Sequence, residues 1–358
     1  MGATADHHHG GHPQGRIRPG ARPIRRPDPG AVLRRRRELH LLVVLLGRHG
    51  PWRRAGLRAD RRPSCRRGPE PMKFYISTGF LDTHEILQIA RAADELGYDG
   101  LGIPDHVVNF AELRTPYPYN ETGERRWEPF TDWPDPWVLI GSLAQITSRL
   151  RFVTTVYVAA LRNPYSAAKS IGTAAYLSEG RVELGLGVGW CREEFDLLEA
   201  RFAQRGRRSD EMIQLMRRLW EPGWTEFDGE FYQTPKLEMS PPVPHVPVLI
   251  GGRSESALHR AAAHDGWIGD LMKTADALAL AARLRELRTA AGRSMDDFII
   301  LAPLIDSFTI DDYARAERGG ITHILTMPWM FYSGPDASTS EKIRGMERFR
   351  ADFELDKA

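Results

Sequence analysis

From Lys73 onward, short runs of β-branched and aliphatic residues alternate with helical stretches, which confines the chain to a parallel sheet built of strand–helix units. The runs are Lys73–Ser77, Gly100–Pro104, Arg151–Val158, Arg181–Gly187, Val246–Gly251, Gly266–Asp270, Phe298–Leu304 and Ile321–Met327. Eight such units predict a closed (β/α)8 TIM barrel in the α/β class, with its active site in the loops that follow the strand C-termini. The helices between them carry end signals. Asp82 with Glu85 reads as a helix start, Ile86, Ile89, Ala93 and Leu96 share one face, and Gly97 reads as a stop; Pro164 opens another helix that Gly180 closes.

The first 71 residues are of another kind. They hold 17 Arg, no Lys and five acids, whereas the remainder carries 32 basic and 42 acidic residues, so the near-neutral total of +2 describes neither part. Arg, Pro and Gly crowd this stretch, and no sustained apolar periodicity marks a core, so residues 1–71 are expected to be a disordered extension of the domain at 72–358. Arg34 to Arg37 followed by the run Leu41–Leu46 lacks the position and cleavage pattern of a signal peptide. The exclusive use of Arg, and a Met that opens a clean strand, reads as upstream sequence translated ahead of a start at Met72 in preference to a nucleic-acid arm. No run approaches the roughly 18 apolar residues of a membrane span. Two cysteines, Cys65 and Cys191, offer neither a disulfide framework nor a thiolate metal site, which suits the cytoplasm.

Two connections exceed ordinary loop length and are expected as insertions. Residues 107–134, after the second strand, contain Tyr117, Tyr119, Trp127, Phe130 and Trp133, enough aromatic surface to roof a pocket. Residues 193–244, after the fourth, contain a helical region with Arg207, Arg208 and Glu211 and then a hairpin around Asp228 and Gly229.

Chemistry is sought at the strand ends. Gly185, Gly187 and Gly189, with Val188 and Trp190 between and after them, lead straight into a helix, a pattern that either cradles a phosphate or serves packing. It departs from the dinucleotide GxGxxG spacing. Gly251, Gly252 and Arg253 after the fifth strand make a second candidate anion site. Asp105 and His106 close the second strand where acid–base residues are expected, and His106 is the candidate for a proton step. Cys191 sits by a helix start that lowers a thiol pKa, yet reads as a small side chain beside the cradle.

Three ordered stretches, from Thr147 to Pro164 with Arg162 and Asn163, from Leu177 to Phe195, and from Arg205 to Glu211, resemble the luciferase-like monooxygenase superfamily. The aromatic loop after Asp105 and His106 resembles the branch that uses the deazaflavin coenzyme F420. The resemblance implies a non-prolyl cis peptide at Thr155–Val156 that supports the cofactor ring. It implies cofactor phosphate and side-chain contacts at Gly187, Val188, Gly189, Trp190, Gly251, Gly252 and Arg253, and a redox pocket lined by Asp105 and His106. It further implies hydride exchange with a small apolar or cyclic substrate and a homodimer. The alternatives are an FMN-dependent monooxygenase and a non-catalytic flavin or deazaflavin carrier. No Lys and Arg cluster matches the sugar-phosphate site of glucose-6-phosphate dehydrogenase relatives.

Overall fold

The computed structural model describes residues 71–243, 245–353 and 355. The expected N-terminal extension lies outside the described residues but for Pro71, and so does Cys65.

Eight parallel strands close on themselves. They are β1 (Lys73–Ser77), β2 (Gly100–Ile103), β3 (Arg151–Thr154), β4 (Val182–Leu186), β7 (Val248–Gly251), β8 (Gly266–Ile268), β9 (Ile299–Ala302) and β10 (His323–Thr326), and β1 pairs with both β2 and β10. The antiparallel pair β5 (Thr225–Asp228) and β6 (Gln233–Leu237) is the expected hairpin and stands outside the barrel. Its turn is set by a distant side chain, because the Glu211 carboxylate accepts hydrogen bonds from the N–H groups of Glu230, Phe231 and Tyr232. The helices are α1 (Thr83–Leu96), α2 (Pro136–Ile146), α3 (Pro164–Leu177), α4 (Arg192–Leu197), α5 (Arg205–Trp220), α6 (Glu255–Ala262), α7 (Thr274–Ala290), α8 (Ile310–Arg318) and α9 (Thr339–Asp352).

The start signals act as read, and so does the stop at Gly97. Asp82 accepts from the N–H groups of His84 and Glu85, and Gly97 stops α1 in the left-handed region. Asn163 caps α3 with Pro164 at its first turn, and the helix ends at Leu177, three residues short of Gly180. The outer core packs the strands against the helices. Tyr75, Val153, Leu249, Ile268 and Leu301 form a separate buried cluster within the barrel.

One polar group stands beside that cluster. Tyr75 donates its hydroxyl to Glu183, which also takes the Arg151 guanidinium, and His323 packs its ring 5.3 Å from Tyr75. Burial, helped by the charges of Lys73 and Arg151, pushes the His323 pKa down to about 3. Burial and Arg217 push His264 down to about 4. A histidine in the unfolded chain titrates near 6.5, so the unfolded chain takes up protons that the fold refuses. This stability is fully present above about pH 6.5 and falls by up to about 1.4 kcal/mol per pH unit for each histidine as pH drops toward its folded value, His264 levelling off first. Denaturation midpoints measured at about pH 7.5 and about pH 5 are expected to show the loss, and His323→Gln to shrink it. A variant with the same acid sensitivity as the parent would contradict this source.

Candidate active site at the barrel mouth

Beyond Thr154 the third strand bends. The Thr155–Val156 peptide is cis without a proline. The Thr155 N–H donates to Ile103 O at 2.7 Å, the Tyr157 N–H to Gly185 O at 2.7 Å, and the Gly187 N–H to Tyr157 O at 3.0 Å, so the chain bulges and then rejoins β4. The half-buried Val156 fills the space that two glycines leave. A Cβ on Gly187 would stand 2.4 Å from Val156 Cγ2, and one on Gly251 would stand 2.7 Å from Cγ1. These glycines make room for the bulge, the packing side of the alternative left open for them, and the Gly187 N–H is already given to Tyr157 O in place of an anion. Among the described residues, no protein acceptor is found for the N–H groups of Val188, Gly189 and Trp190, or of Gly252 and Arg253. Gly189 and Gly252 turn the chain there with φ of 81° and 114°. Gly187→Ala is expected to displace Val156 and weaken cofactor binding about tenfold or more with the fold retained, as read by cofactor titration beside circular dichroism. Unchanged affinity would detach the bulge from the cofactor.

Asp105 and His106 part company. Both Asp105 oxygens take the Arg162 guanidinium at 2.6 Å, and one also accepts the Val158 N–H at 2.9 Å. Arg162 further donates to Val158 O and lies over the Tyr157 ring. Burial raises the Asp105 pKa against the pull of Arg162. Asp105 is thus engaged in fixing the chain that leaves the bulge, and the geometry gives it a positioning role in place of a proton-carrying one.

His106 turns instead to α4. Its Nδ1 lies 3.1 Å from Glu194 Oε2, and the other Glu194 oxygen accepts the Val107 N–H at 2.9 Å. The side chains are 14% and 3% exposed, which shields the pair while leaving the histidine reachable. In a neutral ring that donates to Glu194 the hydrogen sits on Nδ1, and Nε2 has no hydrogen-bond partner among the described residues. Trp127, Trp133 and Trp190 wall the imidazole, with ring centroids 4.8, 5.0 and 6.1 Å away. Glu193 accepts the N–H groups of Arg114 and Thr115; burial alone would raise its pKa, but these bonds hold it down to about 2. Cys191 goes the other way, since burial pushes its thiol up to about 11, as suits the small side chain it reads as.

The luciferase-like monooxygenase family model matches residues 41–334. The chain belongs to the luciferase-like monooxygenase family. A protein of Mycobacterium tuberculosis is 35% identical over 281 residues, 78% of this chain and 97% of its own length. Among solved structures, a monooxygenase from Streptomyces bottropensis superposes with TM-score 0.62 at 19% identity, covering 80% of this chain and 100% of that one. A coenzyme F420 dependent tetrahydromethanopterin reductase from Methanopyrus kandleri superposes with TM-score 0.59 at 15% identity, covering 77% and 98%. At such identities these two structures support the barrel and nothing finer.

In this luciferase-like barrel the aromatic loop is tied to several strand ends. Arg126 pairs with Asp270 after β8 at 2.8 Å, and Arg253 after β7 donates to Pro118 O at 3.2 Å and lies over Tyr119. Arg253, expected to face an anion, is exposed and turned to the lid. Of the five aromatic residues read as a roof, Phe130 is 97% exposed and does not join it. Phe80, at a left-handed φ of 67°, packs against Trp133 from the β1 side. The buried Asp270 Oδ2 and Trp133 Nε1 have no partner among the described residues. Open loop N–H groups, an unmet acceptor and a half-buried bulge fit a flavin-type group with a phosphate-bearing side chain. Glu194, Asp270, Arg162 and Phe80 were missed as site residues by sequence reasoning; an acidic first turn after a glycine-rich strand was the signal for Glu194, an acid closing the sixth strand run was the signal for Asp270, and Phe80 carried none.

Proposed function

We propose that this chain is an F420-dependent oxidoreductase that exchanges hydride between the deazaflavin and a small apolar or cyclic organic substrate. The His106–Glu194 pair carries this reading. It holds a proton-transfer group with one free nitrogen inside a tryptophan wall, at the exit of the strand that borders the β3 bulge. When bound, the deazaflavin supplies a ring carbon that takes or returns a hydride. Thr155 and Val156 would back its ring, and the N–H groups of Val188, Gly189, Trp190, Gly252 and Arg253 would hold its phosphate and side chain. The proton that accompanies conversion of an alcohol to a carbonyl, or the reverse, moves at His106 Nε2. Glu194 keeps the imidazole in the tautomer that leaves Nε2 free, and the tryptophans exclude water.

A second reading, an FMN-dependent monooxygenase, is supported by the family. Turnover of cyclic alcohols with F420, or of cyclic ketones with reduced F420, under strict anaerobiosis separates the two. Bleaching or recovery of the deazaflavin without oxygen is expected; turnover that requires oxygen would favour the monooxygenase, and binding without any turnover would favour a carrier. The homodimer is also proposed, and mass measurement in solution tests it.

A further inference from the structure

Asp270 stands two residues past β8, under the lid, and its two oxygens have different surroundings. Oδ1 accepts the Arg126 guanidinium of the lid at 2.8 Å. Oδ2 is buried without a partner among the described residues. Around it the lid folds on itself: Arg126 also donates to Tyr119 O and lies over the Tyr117 ring, 5.3 Å from its centroid. Burial, with the Asp270 charge next in weight, pushes the Tyr117 hydroxyl up to about 12 and raises Tyr119 as well. Tyr117 in turn packs against Trp127 and Trp190, the same rings that flank His106. Asp270 therefore lies at one end of a contact chain that finishes at the proton-transfer histidine.

A buried carboxylate oxygen without a donor is costly, because it has given up water and gained no replacement. The cost disappears when a molecule beneath the lid presents an O–H or N–H to it. We propose that Asp270 is both the latch of the lid and an anchor for the bound cofactor, with Oδ1 holding Arg126 and Oδ2 accepting a hydrogen bond from a polyol hydroxyl or ring N–H of a flavin-type molecule. Occupancy and lid closure are then coupled, since one carboxylate serves both. This rests on the flavin-type reading of the site.

The test uses the full chain, with Asp270→Asn and Arg126→Gln as variants and F420 and FMN as probes. Affinity is read by fluorescence titration, and lid order by amide hydrogen exchange over residues 107–134, with the barrel strands as the control for folding. The parent is expected to gain protection in the lid on binding. Asp270→Asn is expected to bind about tenfold more weakly or worse and to lose that gain. Arg126→Gln, which keeps the acceptor, is expected to speed lid exchange in the empty protein while costing less affinity. Parental affinity in Asp270→Asn would overturn the anchor, and unchanged lid exchange in both variants would overturn the latch. If the parent binds neither probe, the flavin-type reading falls and the anchor with it, while exchange in the empty protein still decides the latch.

Discussion

Replacing His106 with alanine is expected to leave cofactor binding intact and to slow turnover by about 10² to 10⁴. The imidazole is the group that the site both shields and leaves reachable, with Nδ1 committed to Glu194 and Nε2 free. Glu194→Gln probes the same point more gently. Its amide can donate to Nδ1, which would move the ring hydrogen to Nε2 and block proton acceptance, so kcat is expected to fall and the pH–rate profile to change shape while the fold holds. Steady-state rates across pH, with cofactor affinity measured in parallel, check both. Parental turnover in His106→Ala would remove the histidine from the reaction.

Asp105→Ala is expected to cost about 3 kcal/mol or more of stability. The Asp105 side chain is 1% exposed and that of Arg162 19%, so truncation leaves a largely sheltered guanidinium unpaired and takes the acceptor from the Val158 N–H. Because that N–H follows the bulge, cofactor affinity should drop along with stability. Denaturant unfolding of the parent, Asp105→Ala and the double variant Asp105→Leu with Arg162→Met measures the effect; the double variant should recover much of the stability, since no unpaired charge remains. A loss below about 1 kcal/mol, as expected of an exposed ion pair, would contradict the account.

The barrel was legible because strands buried on both faces read as apolar runs, and helix ends such as Asp82 and Gly97 carry their own signals. The third strand was the exception. Its run reads on to Val158, yet β3 stops at Thr154 and the chain bulges beyond it, and nothing in local periodicity marks that point. The resemblance to luciferase-like enzymes located that bond; residue spacing did not. Gly187 and Gly251 were legible as special positions but not in purpose, since the Val156 methyl groups that they admit come from a different strand. Asp105 and His106 look like a pair in sequence, but they bond to Arg162 and Glu194, 57 and 88 residues away. Such pairings are made by barrel closure, and the same holds for Arg126 with Asp270, 144 residues apart.

Titration of the protein with F420 and, separately, with FMN tests the central claim most directly. Stoichiometric and selective binding of F420, weakened by Gly187→Ala but not by His106→Ala, is the predicted result. Binding of FMN alone would contradict the deazaflavin assignment and favour the oxygenase, and binding of neither would contradict the flavin-type site itself.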